Sequence, residues 1–149
     1  MLVIAGEGPA EKSLHALGKE LNLEDNLKFI GYLDRETELN DCYAAADVFV
    51  FSSLSETQGL VLLEAMAQGT PVVAIAELGT KSILVEGEGA LIAPENELVF
   101  AERVSTLLSN KTLRNKLSKA ALSYVKTNWT DKAQAIRMID FYKDVATSI

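Results

Sequence analysis

Short apolar runs and longer amphipathic stretches alternate along the whole chain. The apolar runs are rich in Val, Ile, Leu and Phe, as are strands covered on both faces of a parallel sheet, and they occupy residues 2–5, 27–32, 47–51, 71–75 and 89–93. Apolar positions at helical spacing occur in residues 10–21, 35–46, 60–68, 95–109, 112–126 and 131–146. This alternation predicts an α/β fold, a Rossmann-like doubly wound parallel sheet flanked by helices.

Residues suited to helix ends mark several of these boundaries. Asp34, Asn110 and Thr130 are predicted N-caps, because their side-chain oxygens can accept hydrogen bonds from the first backbone amides of a helix. Gly69 follows the helix at 60–68 as a C-terminal cap, and Pro71 lies just beyond it.

The helix at 60–68 is apolar almost all the way round, which predicts that it is buried. Glu64 is its only charged residue. Burying a carboxylate costs several kcal/mol unless hydrogen-bond donors or a positive charge meet it. Either Glu64 forms a structural cap or ion pair, or the hydroxyl groups of a polyhydroxy ligand supply the donors.

A second carboxylate, Glu56, lies in the loop before this helix, and Gly59 and Leu60 follow it. The order strand, loop, helix places free backbone amides at the carboxyl edge of the sheet, where α/β proteins bind ligands. Such amides and the helix dipole suit a phosphate group. Glu64 would lie about one turn further, roughly 6 Å along the axis. That is about the separation between the diphosphate and the ribose hydroxyls of a nucleotide.

The two glutamates, with seven residues between them, resemble the E-x7-E signature of retaining, nucleotide-sugar-dependent glycosyltransferases of the GT-B fold. The resemblance is to the C-terminal, nucleotide-sugar-binding domain of these enzymes. It implies that Glu56 faces the donor sugar as the catalytic residue. It also implies that amides near Gly59 and Leu60 hold the diphosphate and that Glu64 binds the ribose hydroxyls.

The loop between the two glutamates departs from the usual E-G-F-G of the family. Here Thr57 and Gln58 stand between Glu56 and Gly59, giving E-T-Q-G. This form is similar to that of glycolipid-forming members. Thr57 and Gln58 are therefore counted among the expected donor-binding residues.

Two earlier segments also resemble parts of the family's nucleotide site. Gly6 and Gly8 belong to a G-x-G-P turn after the first strand. Glycines that only allow a tight turn would give the same sequence pattern. Ile30, Gly31 and Tyr32 end a segment similar to the family's V-x-F-x-G, whose backbone contacts the nucleotide base.

The segment at 78–82 matches the family only in part. A glycine-rich loop near the donor sugar, commonly with two adjacent glycines, occupies this region in the family, whereas here Gly79 is followed by Thr80. Lys81 could meet a phosphate, but a surface lysine is the simpler interpretation.

Composition narrows the function further. The chain has 149 residues, and 48% of them are apolar, which favours one globular domain. Its formal net charge of −7 disfavours binding to nucleic acid or anionic lipid through this domain. No apolar run approaches the length of a membrane span, so a cytoplasmic location is expected. The single cysteine, Cys42, excludes an internal disulfide, and neither a metal nor a cofactor is expected besides the donor substrate.

The resemblance also implies an incomplete enzyme. GT-B enzymes have two domains, and the chain is expected to be a fragment that lacks the N-terminal acceptor-binding domain and the first strand of this domain. The whole enzyme would transfer a sugar from a UDP-sugar to an acceptor hydroxyl with retention, whereas this chain alone would be inactive. The strands at 2–5 and 48–51 would then expose free edges that favour dimers.

Two other functions remain open. The chain could be a non-catalytic module that binds a nucleotide sugar or a partner protein. It could also belong to a UDP-sugar epimerase of the same fold class.

Overall fold

The computed structural model describes residues 1–147, and the chain divides into two compact units, Met1–Asp41 and Cys42–Ile149. The strands are β1 (Leu2–Ala5), β2 (Leu27–Gly31), β3 (Phe49–Phe51), β4 (Val72–Ile75) and β5 (Ala90–Ala93). The helices are α1 (Glu11–Glu20), α2 (Glu38–Ala45), α3 (Leu60–Ala67), α4 (Gly79–Ile83), α5 (Glu97–Ser109), α6 (Lys111–Asn128) and α7 (Asp131–Thr147). No helix in the described part of the chain is long and apolar enough to cross a membrane.

The first unit contains β1 and β2, which pair in parallel with Leu2 opposite Leu27, and α1 between them in sequence. Gly18 of α1 is buried, and a Cβ there would lie 2.8 Å from a methyl of Leu27, so the glycine allows α1 to approach β2 closely. Leu2 and Val3 remain 46% and 38% exposed, so the predicted burial of β1 is wrong. The physical reason is that one helix layer cannot cover both faces of a two-stranded sheet.

The second unit contains a parallel sheet in the order β3-β4-β5. Val72 in the central strand pairs with Phe49 on one side and with Ala90 on the other. Every residue of β4 is buried, as expected for a continuous apolar run with neighbours on both edges. Helix α3 contacts β3, β4 and α6, and α5 contacts β4 and β5.

These elements confirm the predicted α/β fold with parallel strands flanked by helices. The strands form two sheets, however, instead of one continuous sheet. Within residues 1–147, β1 pairs only with β2, and β3 pairs only with β4. Each of these two strands therefore ends its own sheet.

The core of the second unit lies between the sheet and the two long helices after it. Its buried members, one each from β4, β5, α5 and α6, are Val73, Leu91, Leu107 and Leu117. Side chains that are exposed by no more than 8% fill the space between the layers, so their removal would leave a cavity.

The predicted N-caps Asn110 and Thr130 are confirmed, whereas Asp34 caps a turn, because α2 begins at Glu38, three residues later than predicted. Side-chain oxygens of Asp34, Asn110 and Thr130 accept hydrogen bonds from backbone amides three residues further along, at 3.0, 2.9 and 3.3 Å. Asn96 forms a further cap that the sequence did not predict, so α5 begins at Glu97, two residues later than expected.

Candidate functional site

The loop from β3 to α3 folds its own amides around a carboxylate. Glu56 Oε1 accepts hydrogen bonds from the backbone N–H groups of Gln58 at 2.8 Å and Gly59 at 2.9 Å. The amides of Gly59 and Gln58 hold the pKa of the Glu56 carboxyl below its usual range, because they stabilise the ionised form. Gly59 has φ +69°, a left-handed conformation that a glycine adopts without strain.

Helix α3 begins directly after this loop. The amide of Gly59, which the family resemblance assigns to a diphosphate, donates to Glu56 in this structure. Leu62 donates its amide to the carbonyl of Gly59 at 3.0 Å. Helix geometry gives the amides of Leu60 and Val61, in the first turn, no acceptor within the helix. These two amides are therefore the ones that the helix start offers to a ligand.

Glu64 is half-buried in the second turn of α3, where its Oε2 accepts a hydrogen bond from Tyr43 Oη at 3.4 Å. The tyrosine is only 6% exposed. Its ring packs edge-on against Phe49 with 5.3 Å between ring centres, and its carbonyl accepts a hydrogen bond from Thr70 Oγ1 at 2.6 Å. The ring and the backbone of Tyr43 are thus both held in place, and one oxygen of Glu64 has a protein partner at the long end of the hydrogen-bond range.

Gly79 and Thr80, at the start of α4, also belong to the site. The amide of Gly79 donates to the carbonyl of Glu56 at 3.1 Å. A Cβ on Gly79 would overlap the backbone carbonyl of Thr57. The partial match to a glycine-rich loop was the signal that pointed to this segment, but it gave no indication that the segment contacts the Glu56 loop.

The other predicted site residues lie in the first unit. The amide of Gly6 donates to the carbonyl of Gly31 at 2.7 Å, and both glycines have positive φ, +114° and +67°. Gly8 accepts a hydrogen bond from the amide at the start of α1, at 3.1 Å, and is exposed. Ile30 is 40% exposed and Tyr32 68% exposed. Within this unit, the structure therefore brings the two predicted segments together at the ends of β1 and β2.

The described residues include no group of three or more His, Cys, Asp or Glu side chains placed to share a metal ion. Lys81 is exposed, as expected for a surface lysine.

Comparison with known proteins identifies the family. A family model described as "Glycosyl transferases group 1" matches residues 1–124. This chain belongs to that family.

Individual glycosyltransferases agree with this assignment. Alpha-monoglucosyldiacylglycerol synthase from Streptococcus pneumoniae is 34% identical over an alignment of 152 positions, which covers 97% of this chain and 34% of the synthase. The chain therefore spans about a third of the length of this curated relative.

Solved structures of other glycosyltransferases have a similar fold. Sucrose-phosphate synthase from Thermosynechococcus elongatus superposes with a TM-score of 0.83 at 31% identity, over 99% of this chain and 39% of the synthase. A variant of S. aureus TarM, solved in complex with UDP, fondaparinux and alpha-GlcNAc-glycerol, superposes with a TM-score of 0.80 at 25% identity, over 93% and 28% of the two chains. The predicted resemblance to a C-terminal GT-B domain is thereby confirmed.

Proposed function

We propose that this group 1 glycosyltransferase chain binds the donor, a UDP-sugar, for an enzyme that transfers the sugar to an acceptor hydroxyl with retention of configuration. The observation that carries the proposal is the arrangement of Glu56, its amide-lined loop and Glu64 around the start of α3. Family membership supports sugar transfer from a nucleotide sugar. The complex of the similar TarM with UDP supports the choice of nucleotide.

Each part of the donor has a proposed partner. The diphosphate binds the amides of Leu60 and Val61 and gains from the positive end of the α3 dipole. The ribose hydroxyls donate to Glu64, whose second-turn position is about one turn from those amides. Glu56 faces the sugar, where an ionised carboxylate accepts hydrogen bonds from hydroxyl groups.

The low pKa of Glu56 fits this role. Two backbone amides keep the carboxylate charged, and a charged acceptor forms stronger hydrogen bonds than a neutral one. Glu56 already uses the amides of Gln58 and Gly59, which is why we assign the diphosphate to the following amides. The roles that the family resemblance implies for Gly6, Gly8, Ile30, Gly31 and Tyr32, which lie in the first unit, stay predictions.

The acceptor is proposed to bind outside this chain, because the chain spans only about a third of the relative described above. Alignment of an acceptor hydroxyl with the anomeric carbon supplies a large part of the rate of such a reaction. Without that alignment, the chain alone is expected to transfer no sugar. Because backbone amides and a helix dipole each contribute modestly, it is expected to bind UDP with a Kd of about 1 mM, some 4 kcal/mol.

Isothermal titration of the 149-residue chain with UDP, run beside a UDP-glucose consumption assay, tests this proposal. The expected result is a binding isotherm that saturates with UDP, together with no transfer of sugar. An absence of UDP binding would favour a partner-binding module. Conversion of UDP-glucose into its epimer would identify an epimerase, and sugar transfer by the chain alone would place the acceptor site within it.

A further inference from the structure

The start of α4 lies against the back of the Glu56 loop. Gly79 donates its amide to the carbonyl of Glu56 at 3.1 Å. A Cβ added to Gly79 would overlap the carbonyl of Thr57 and would lie 2.8 Å from the amide nitrogen of Gln58. The backbone of α4 therefore touches the peptide between Thr57 and Gln58 so closely that only a glycine fits there.

Thr80 fixes the first turn of α4 to Glu77, in the segment between β4 and α4. Its side chain is fully buried, and Oγ1 donates to the carbonyl of Glu77 at 2.6 Å while accepting from the amide of Glu77 at 2.8 Å. On the loop side, a Cβ on Gly59 would meet Ile83 Cδ1 at 3.0 Å and Thr80 Cγ2 at 3.4 Å. The same turn of α4 thus contacts both the beginning and the end of the Glu56 loop.

We propose that Gly79 and Thr80 are positioning residues that hold the Glu56 loop in the conformation in which its amides converge on the Glu56 carboxylate. This inference rests on the proposed function only in the statement that the held loop binds the donor. Gly79→Ala would push the Thr57 peptide away from α4. Thr80→Val keeps the volume of the side chain but removes the hydroxyl that ties the turn of α4 to Glu77.

The titration of the Glu56 carboxyl reports directly on the loop. Its carboxyl ¹³C signal, assigned with Glu56→Gln, is followed against pH in the 149-residue chain. The wild type is expected to titrate below the ordinary range of a glutamate, because the two amides stabilise the ionised form. In Gly79→Ala and Thr80→Val the pKa is expected to rise towards the ordinary range. Thr80→Ser, which keeps the hydroxyl, should retain the low pKa.

Gly87→Ala is the matched control. Gly87 is exposed, and no atom lies within 4 Å of a Cβ built there, so the same substitution leaves the Glu56 loop untouched. Its φ of +84° strains an alanine, so this variant also loses stability without displacing the loop. A general loss of stability can thereby be distinguished from a change in the loop.

Binding supplies the second measurement. UDP affinity is expected to fall about tenfold in Gly79→Ala, the effect of misplacing one good hydrogen bond to a charged group, and to be unchanged in Gly87→Ala. A folded Gly79→Ala or Thr80→Val that keeps the low Glu56 pKa would overturn the inference. If Gly79→Ala fails to fold, the Glu56 pKa in Thr80→Val, compared with that in Thr80→Ser, decides whether the inference holds. A wild type that binds no UDP, with the pKa responses intact, would refute the proposed function and leave the positioning role standing.

Discussion

Glu64→Gln separates a ligand-binding role from a structural one. The glutamine keeps the shape of the side chain and an oxygen that can accept the hydrogen bond from Tyr43 Oη. Because that bond is long, 3.4 Å, its weakening should lower the free energy of unfolding by about 1 kcal/mol at most. Loss of the charge should affect the donor more. Charge-assisted hydrogen bonds to two ribose hydroxyls contribute roughly 1.5–3 kcal/mol together, so UDP affinity should fall about ten- to a hundredfold.

Two assays check these expectations. Denaturant unfolding followed by circular dichroism gives the stability, and isothermal titration with UDP gives the affinity. Tyr43→Phe is the matched variant, because it removes only the hydroxyl that contacts Glu64 and leaves the ring packed against Phe49. It should change UDP affinity much less than Glu64→Gln does. If Glu64→Gln unfolds the chain, or leaves UDP affinity unchanged in a folded chain, Glu64 is a structural residue and the ribose assignment is wrong.

Three further predictions concern stability. Leu107→Ala should lower the free energy of unfolding, measured by denaturant titration, by about 2–5 kcal/mol, because this fully buried side chain fills the core. Leu98 on the same helix is 82% exposed, so Leu98→Ala should change the free energy of unfolding by less than about 0.5 kcal/mol. Asn110→Ala should cost about 1 kcal/mol through loss of the α6 cap, while Asn115→Ala, exposed within the helix, should have little effect in the same titrations. The lowered pKa of Glu56 means that its contribution to the free energy of unfolding is complete above the ordinary glutamate range and is lost as the pH falls through the folded-state pKa. Glu56→Gln should therefore flatten the fall in the free energy of unfolding at acid pH. An unchanged fall would contradict the lowered pKa.

The sequence predicted best where a local pattern and a local end signal coincide. Helix α3 was predicted to within one residue, because its apolar run ends at Gly69. The fully buried strand β4 was also predicted, because its continuous apolar run directly follows Pro71. Burial of β1 was not predictable, since its run of four apolar residues resembles that of β4 and only tertiary structure decides what covers a strand.

The contacts within the candidate site were not predictable from the sequence. The spacing of Glu56 and Glu64 directed attention to the start of α3. Helix α4 was missed because five residues give no periodicity, and it begins after Leu78, a non-glycine residue with φ +48°. The close approach of Gly79 to the Glu56 loop joins segments far apart in the chain, so no local pattern could indicate it.

The central position of β4 also has a consequence for how the second unit folds. Both of its ladders are parallel, so neither can form from residues that are adjacent in the chain: α3 must cross over before β3 meets β4, and the segment containing α4 must do so before β4 meets β5. The helices α5 and α6, joined at Asn110, meet through contacts that are local in sequence. Since local contacts close with less loss of chain entropy, we expect the helical pair to form early in refolding and β4 to be buried late, when both crossovers are in place.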